Sequence, residues 1–237
     1  MSPTHEKVVI VTGGSQGIGA GIVAAYRQQG WAVVAIARTI KPNQDDDILT
    51  IKADITEPAA ADRIVRETLE RFGRVDTLVN NAGLYIGKPF TDYTPEDYWS
   101  VVGVNLTGFF MLTQRVIAAM LETGGGHVVN VTTTLVDNAD SSSPSALTSL
   151  TKGGVAAATR SLAIEFASRG IRVNAVSPGV IRTPVHDAAE YEGLGDRQPL
   201  GHVGQVSDIV TGVLFLESSP FVTGEIVHID GGQIAGH

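Results

Sequence analysis

The residues best suited to chemistry stand near the start of the chain, in the segment Thr12 to Gly19, which reads TGGSQGIG. This segment follows an apolar run and opens a helical pattern. Glycine allows a tight turn and lets the backbone approach a pyrophosphate, and a helix N-terminus offers free N–H groups and the positive end of a dipole to an anion. The pattern therefore predicts a dinucleotide-binding loop. Its predicted binding residues are Gly13, Ser15, Gln16, Gly17, Ile18 and Gly19.

The end of the next apolar run indicates which dinucleotide is bound. An acidic residue at this place would accept hydrogen bonds from a free ribose 2′-hydroxyl, whereas an arginine would neutralise a 2′-phosphate. The chain has Arg38 there, with Thr39 and Lys41 close behind and no carboxylate before Asp45. We therefore expect NADP(H) rather than NAD(H). The alternative is that Arg38 is a solvated surface residue.

The elements that must position these residues alternate along the whole chain. Apolar, β-branched runs predict strands at Val8–Val11, Ala32–Ala37, Ile48–Ile51, Thr77–Val79, His127–Val131, Arg172–Val176 and Glu225–Ile229. Helical patterns lie between them, at Gly17–Gln29, Pro58–Phe72, Glu96–Leu121, Ser145–Ser168 and Gln205–Leu216. This alternation predicts an α/β protein with a doubly wound parallel sheet of about seven strands and helices on both faces. We expect a single domain over residues 1–237, with a substrate lid at about 183–204. A solvated variable loop is the alternative for that last segment.

Composition limits the function classes further. The 237 residues are 43% hydrophobic and 18% charged, as in ordinary globular proteins, and the net charge of −8 argues against nucleic-acid binding. The absence of cysteine excludes disulfides, thiolate metal sites and a cysteine nucleophile, and no metal site is predicted. The polar start, Met1 to Lys7, does not read as a signal peptide, and polar residues interrupt the apolar stretch Val101–Leu121. We expect a cytoplasmic protein that does not span a membrane.

Further motifs follow in a fixed order: Asp54-Ile55, Asn80-Asn81-Ala82-Gly83, Asn105, Lys152, Pro178-Gly179 with Val180, Ile181 and Thr183, then Thr223-Gly224 and Asp230-Gly231-Gly232. With the glycine-rich loop, they resemble the motifs of the short-chain dehydrogenase/reductase family over nearly the whole chain. The resemblance implies a Rossmann-type fold and an NADP(H)-dependent oxidoreductase that acts on a small carbonyl or alcohol. It implies adenine contacts for Asp54 and Ile55, adenine-ribose contacts for Asn81, Ala82 and Gly83, and nicotinamide contacts for Pro178, Gly179, Val180, Ile181 and Thr183.

The chain departs from the family in its proton relay. The family uses a serine, a tyrosine and a lysine four residues after the tyrosine, so that the ammonium can lower the pKa of the phenol. Lys152 matches the lysine and Asn105 matches the helix asparagine that helps to hold a water, but Thr148 stands four residues before Lys152. Thr133 takes the serine position by alignment on Asn130, with Thr134 as the alternative. An aliphatic hydroxyl does not easily become a base, so we expect an altered relay.

Three sets of groups could replace the phenol. Lys152 could act through a water chain with Asn105, Asp137 or Asp140 could fold over the pocket, and Tyr191 or His186 could swing in from the lid. Two function classes stay open beside each other, an oxidoreductase with an altered relay and a dinucleotide-binding sensor or scaffold. A lyase or isomerase that uses the cofactor structurally is a third.

The remaining predictions concern substrate and assembly. The residues expected to form a mostly apolar substrate pocket are Leu84, Tyr85, Leu135, Val136, Val185 and Tyr191. The last long helix carries small residues, among them Gly153, Gly154 and Ala157, which allow close approach of another helix. In the family, this helix and the preceding one form a dimer interface, so the resemblance implies a homotetramer or a homodimer.

Overall fold

The computed structural model describes residues 7–183, 193–195 and 198–236. The predicted substrate-pocket and relay residues Val185, His186 and Tyr191, and much of the predicted lid, lie outside these residues.

Seven parallel strands form the central sheet: Val8–Thr12 (β1), Ala32–Ala37 (β2), Ile48–Lys52 (β3), Thr77–Asn80 (β4), Gly126–Val131 (β5), Ile171–Pro178 (β6) and Ile226–Ile229 (β9). Their order across the sheet is β3-β2-β1-β4-β5-β6-β9. A short second sheet pairs β7 (Ile181–Arg182) with β8 (Gly204–Gln205). The sheet confirms the predicted doubly wound architecture, and each predicted strand is present.

The helices cover both faces of the sheet. They are α1 (Gly17–Gln28), α2 (Ala60–Phe72), α3 (Pro95–Val102), α4 (Phe109–Glu122), α5 (Ala146–Phe166) and α6 (Val206–Ser218). Strand residues alternate between two apolar layers: Val8 and Ile10 pack with α2 and α4, whereas Val9 and Val11 pack with α1 and α6. Because both faces are buried, the strands are continuously apolar, and this is why they could be identified from the sequence.

The predicted helix Glu96–Leu121 is wrong in one respect. Its helical course is continuous from Pro95 to Glu122, but a π-helical segment, Gly103–Gly108, separates α3 from α4. Among the described helices, this stretch is long and apolar enough to span a membrane by length and composition. Leu112, Val116 and Met120 are buried under the sheet, which is the packing of a core helix.

The strand order reverses between β1 and β4, since β2 and β3 continue to one side and β5 and β6 to the other. In open α/β sheets, ligands bind in the crevice at the carboxyl ends of the strands where the order reverses. The residues that follow β1, β2, β3 and β4 meet at this crevice and form the candidate site.

Candidate functional site

A cavity of about 700 Å³ lies at this crevice. Thirteen of the predicted cofactor-binding residues line it, namely Gly13, Ser15, Gln16, Gly17, Ile18, Gly19, Arg38, Asp54, Ile55, Asn81, Ala82, Gly83 and Thr183. Six further residues line the cavity without belonging to any of the sequence motifs: Ile36, Thr56, Trp99, Ser100, Gly103 and Val104. The last four come from α3 and the π-helical segment, where exposed helix residues carry no sequence signal for binding.

The glycine-rich loop is shaped by close backbone packing. Gly13 has a φ of +68°, and a Cβ added at Gly19 would lie 2.1 Å from the carbonyl oxygen of Gly13. Only glycine fits at Gly19, because a side chain there would collide with the backbone of the same loop. The loop therefore brings its backbone directly to the start of α1.

The start of α1 is suited to an anion. Gln16, the N-cap residue, makes no side-chain capping bond in the described part of the chain, and first-turn N–H groups have no acceptor within a helix. Gly17, Ile18 and Gly19 all line the cavity. The free N–H groups and the positive end of the helix dipole would hold a pyrophosphate there.

Thr12 joins the loop to the segment after β4. Its Oγ1 accepts hydrogen bonds from the backbone N–H groups of Asn81 and Ala82, each at 3.0 Å. The Asn81 side chain in turn donates to the carbonyl oxygen of Thr12 at 2.9 Å. These bonds fix Asn81 in a structural role at the cavity wall, so its amide is committed to the loop.

The wall opposite the loop carries one cation and one anion. Arg38 is exposed at the end of β2, and Asp54 follows β3. Hydrogen bonds from the backbone and hydroxyl of Thr56, with the nearby Arg38, lower the pKa of Asp54 despite partial burial. Both bonds use Oδ1, so Asp54 keeps Oδ2 available to a donor on a ligand.

The predicted nicotinamide segment lies at the ends of β6 and β9. The Gly179 N–H donates to the Ile229 carbonyl at 3.0 Å, and the carbonyl of Val180 accepts from Gly204 at 2.9 Å. Pro178, Gly179, Val180 and Ile181 do not line the cavity itself, whereas Thr183 returns to the glycine-rich loop and lies 3.5 Å from where a Cβ of Gly17 would stand.

The predicted proton-relay residues meet between β5, α5 and the π-helical segment. Lys152 donates a hydrogen bond of 2.6 Å from Nζ to the carbonyl oxygen of Val131, the last residue of β5. Burial lowers the pKa of Lys152 to about 8. The ammonium lies against Gly83, since a Cβ there would stand 3.0 Å from Nζ. Lys152 is thus held behind the cavity wall, with a pKa near neutral pH.

Asn105 is fixed by both ends of its amide. Its Oδ1 accepts from the Leu84 N–H at 2.8 Å, while its Nδ2 donates to the Leu84 carbonyl and to Thr151 Oγ1. The π-helical segment places Asn105 in this position, facing α5 and the segment after β4. Through Asn105, these bonds join the segment after β4 to α5 on either side of Lys152.

Thr148 lies one helical turn before Lys152, in a closed environment. Its side chain is only 4% exposed, and Oγ1 has no hydrogen-bond partner among the residues that the structure describes. Helix α5, described over its full length, contains no tyrosine. Within the described part of the chain, the hydroxyl of Thr148 therefore has neither an acceptor nor access to solvent.

Thr133 and Thr134 differ in their availability. The Thr134 hydroxyl is buried and donates to Gln233 Oε1 at 3.2 Å. Among the described residues, the hydroxyl of the half-buried Thr133 only accepts a long bond, of 3.4 Å, from the Leu135 N–H. Thr133 therefore keeps its own proton for a ligand, which favours it over Thr134 as the counterpart of the family's serine.

The two loop carboxylates are engaged elsewhere. Asp137 contacts His228 Nε2 at 3.1 Å, and Asp140 accepts from the backbone and hydroxyl of Ser142 within its own turn. The structure therefore folds neither carboxylate over the site, and among the residues that it describes Lys152 is the predicted relay group that lies there.

Known proteins resemble this chain over nearly its whole length. Residues 13–233 match a family model described as enoyl-(acyl carrier protein) reductase. The chain is 35% identical to the BbsD subunit of (2S)-[(R)-hydroxy(phenyl)methyl]succinyl-CoA dehydrogenase from Thauera aromatica, over 97% of both chains.

Two solved structures are similar over nearly the same length. ElxO with NADP bound shares 27% identity, with a TM-score of 0.90, and the match covers 97% of this chain and 99% of that one. The 3-ketoacyl-(acyl-carrier-protein) reductase from Brucella melitensis, complexed with NADH, shares 31% identity, with the same TM-score and the same coverage of both chains.

Proposed function

Because the chain belongs to the short-chain dehydrogenase/reductase family, we propose that it is an NADP(H)-dependent oxidoreductase acting on a small carbonyl or alcohol substrate. The observation that carries the proposal is the cavity, which is lined by the glycine-rich loop and the free N-terminus of α1 and, on the facing wall, by Arg38. These groups match, in order, a pyrophosphate and a ribose 2′-phosphate. The solved relatives bind either NADP or NADH, so the choice between them is argued from this chain's own residues.

The preference for NADP(H) depends on Arg38. The segment from Ala37 to Lys41 contains no carboxylate that would repel a 2′-phosphate, and Arg38 lines the cavity. A guanidinium can bind a phosphate through two parallel hydrogen bonds, which makes it more selective than a point charge.

Proton transfer is assigned to Lys152 in place of the absent phenol. When bound, the nicotinamide would supply or accept the hydride. With a pKa of about 8, Lys152 holds a proton at neutral pH and gives it up readily, as a general acid must. Asn105 would help to hold a water between Lys152 and the substrate oxygen, and Thr133 would donate a hydrogen bond to the same oxygen.

The experiment that tests the cofactor assignment compares binding of NADPH and NADH by calorimetry. We expect tighter binding of NADPH, and Arg38→Asp should reverse the order, because a carboxylate there repels the 2′-phosphate and accepts from a 2′-hydroxyl. Lys41→Asp is the matched control, since it makes the same charge change nearby but Lys41 does not line the cavity. Equal binding of both dinucleotides by the unmodified protein would contradict the assignment of Arg38.

A catalytically impaired dinucleotide-binding sensor or scaffold is the second candidate, favoured by the enclosed Thr148 and the absence of tyrosine from α5. NADPH consumption with ketones, aldehydes and activated alkenes separates the two. If the pocket retains carbonyl chemistry, Thr148→Tyr should raise ketone reduction by about 10²-fold, the contribution of one general acid. No turnover by either protein, despite measured NADPH binding, would favour the sensor or scaffold.

We propose a cytoplasmic homotetramer, or at least a homodimer. Apolar side chains project from the outer faces of α4 and α5, among them Phe110, Leu150 and Ile164, each more than half exposed. A second copy would bury them, since small residues on α5 permit close approach. Light scattering after gel filtration should report more than the 24.9 kDa of one chain at micromolar concentration, and a monomer would contradict the proposal.

A further inference from the structure

One wall of the cavity carries an aromatic side chain that no motif predicts. Trp99, on α3, is 68% exposed and lines the cavity together with Ser100, Gly103 and Val104. Its indole contacts the ring of Tyr98, with centroids 5.0 Å apart. A large apolar side chain exposed at the rim of a cavity is a feature that ligand-binding sites use.

The position of Trp99 relative to the other walls indicates what it faces. The start of α1 is suited to phosphate, and Arg38 at the end of β2 is suited to a 2′-phosphate. The cavity continues past these groups to Asp54, Ile55 and Thr56, which follow β3. A base attached to that ribose would therefore lie between the segment after β3 and the wall formed by α3.

The wall that carries Trp99 is held in place by close packing. A Cβ at Gly108 would lie 2.7 Å from side-chain atoms of Ile55, so the π-helical segment touches the segment after β3 directly. At the other end of α3, Thr94 and Asp97 form a capping box, and Lys88 pairs with Asp97 at 2.5 Å. The backbone that presents the indole is therefore fixed before any ligand arrives.

We propose that Trp99 stacks on the adenine of the bound dinucleotide and closes the outer side of the base subsite. The inference rests on the proposed function, since it requires a nucleotide in the cavity. Every base has a π-face, so an indole binds it without hydrogen bonds and adds affinity by covering the ring. Asp54 then accepts from the edge of the base, and Trp99 covers its face.

The chain contains two tryptophans, which makes the proposal directly measurable. Trp31, at the start of β2, is 8% exposed under the ammonium of Lys7, at the opposite end of the sheet. The variant Trp31→Phe leaves Trp99 as the single indole. Adenosine 2′,5′-bisphosphate is the probe, because it carries the base and the 2′-phosphate but no nicotinamide that could absorb the emission.

We expect the bisphosphate to quench the fluorescence of Trp31→Phe, with a midpoint equal to the dissociation constant from calorimetry, whereas inorganic pyrophosphate should not quench it. In the otherwise unmodified protein, Trp99→Ala should weaken the bisphosphate about tenfold and Trp99→Phe about threefold or less, as expected for loss of one stacking contact. Phe221→Ala, which removes a fully exposed aromatic that does not line the cavity, should leave the affinity unchanged.

The outcomes separate this inference from the proposed function. If calorimetry shows binding of the bisphosphate but neither the fluorescence nor the Trp99→Ala affinity changes, the stacking is wrong and the dinucleotide site stands. If Trp99 emission responds to protein concentration instead, the indole lies in a contact between copies and the inference is overturned. If neither the bisphosphate nor NADPH binds, both the inference and the proposed function fall.

Discussion

The two edges of the central sheet differ in whether their polar groups are hydrogen-bonded within the protein. At the amino edge lies a group of buried and half-buried polar side chains, here called the amino-edge cluster, whose members bond to one another or to nearby backbone. Its members are Tyr26, Thr77, His127, Arg172 and Glu217. At the carboxyl edge, around the cavity, the described polar groups include N–H groups of the first turn of α1 and hydroxyls for which the described residues offer no partner. The polar groups of the amino edge are satisfied within the protein, whereas those of the carboxyl edge are available to a ligand.

Glu217 is the centre of the amino-edge cluster. Its Oε2 accepts hydrogen bonds from Tyr26, Thr77 and His127, each at 3.0 Å. Burial alone would raise the pKa of Glu217, but these bonds outweigh it and hold the pKa below its ordinary value. Burial lowers the pKa of His127, so the pair consists of a carboxylate and a neutral imidazole that donates from Nδ1.

Arg172 completes this edge by bonding to backbone. Its guanidinium donates to the carbonyl oxygens of Leu216 at 2.8 Å and Glu217 at 3.1 Å, at the end of α6. Both carbonyls belong to the last turn of α6, where a helix leaves its backbone acceptors incompletely satisfied. The amino-edge cluster therefore joins α1 and α6 to the strands β4, β5 and β6. Its polar groups stabilise the fold.

The carboxyl edge, in contrast, contains buried polar groups that are not hydrogen-bonded to the described residues. Thr148 and Ser177 are the buried side chains in the described ranges whose hydroxyls find no partner, and both lie towards this edge. A buried polar group without a partner costs about 1–3 kcal/mol. Among the described residues, the buried hydroxyls without partners therefore lie at the edge that carries the cavity.

The largest effect expected from this comparison is at Glu217. Glu217→Ala should lower the free energy of unfolding by about 3–5 kcal/mol, because it leaves the buried donors of Tyr26 and His127 and the nearby Arg172 without their anion. Urea denaturation measures the loss. NADPH affinity of the folded variant should be unchanged, since the cavity lies at the other edge.

Glu165→Ala provides the control for that variant. Glu165 is an exposed carboxylate on α5, paired only at 3.8 Å with Arg169, so its loss should change stability by about 0.5 kcal/mol or less. Equal effects of the two substitutions would show that the amino-edge cluster contributes no more than a surface ion pair.

The same contrast explains what the sequence could predict. The seven strands and the glycine-rich loop were identifiable because their signals are local: continuous apolar runs and glycines at a strand-to-helix junction. The π-helical segment at Gly103–Gly108 has no such signal, and the residue that it packs against, Ile55, lies about fifty positions earlier in the chain. Exposed helix residues such as Trp99 give no periodicity that distinguishes binding from solvation.

The other features of the site that the sequence did not reveal depend on contacts between residues far apart in the chain. Asp137 was a candidate relay group from its loop position, but its partner His228 is 91 positions away and belongs to the last strand. Likewise, nothing near Thr133 and Thr134 indicates that Gln233 satisfies the second hydroxyl and leaves the first. Such contacts depend on which loops the sheet brings together, and they decide which of two similar residues is available.

A second prediction concerns the pH dependence of stability at Lys152. Its pKa is about 8 in the folded protein, against an ordinary value of 10.5. Between these pH values the unfolded chain binds more protons than the folded one, so this residue makes the protein more stable as the pH rises through that window. Below pH 8 the buried ammonium costs about 3 kcal/mol.

Lys152→Met removes the charge at similar length and should abolish this dependence. The difference in unfolding free energy between the variant and the parent should shift by about 3 kcal/mol in favour of the parent between pH 7 and pH 10.5. Urea denaturation at four or five pH values measures it, with the exposed lysine substitution Lys52→Met as control. A difference that stays constant with pH would show that the ammonium is not desolvated.

The smallest expected effect is at Thr148, where the carboxyl edge is most sharply tested. Thr148→Val replaces the enclosed hydroxyl by a methyl group of nearly the same shape, so the packing is kept and the cost of an unpaired polar group is removed. We expect the protein to become more stable by about 1 kcal/mol, whereas most buried substitutions destabilise. NADPH binding and any reductase activity should be retained, because the hydroxyl has no acceptor among the described residues and no access to solvent, so we expect it to take no part in proton transfer. Thr148→Ser keeps the hydroxyl but loses the methyl group, so it should be less stable than the parent.

Thermal unfolding of the parent, Thr148→Val and Thr148→Ser, each with and without NADPH, distinguishes a hydroxyl that stays unpaired from one that pairs with the bound ligand. If Thr148→Val is destabilised only when NADPH is present, the hydroxyl has its partner in the bound state, and the unsatisfied groups of this edge are completed by the ligand itself.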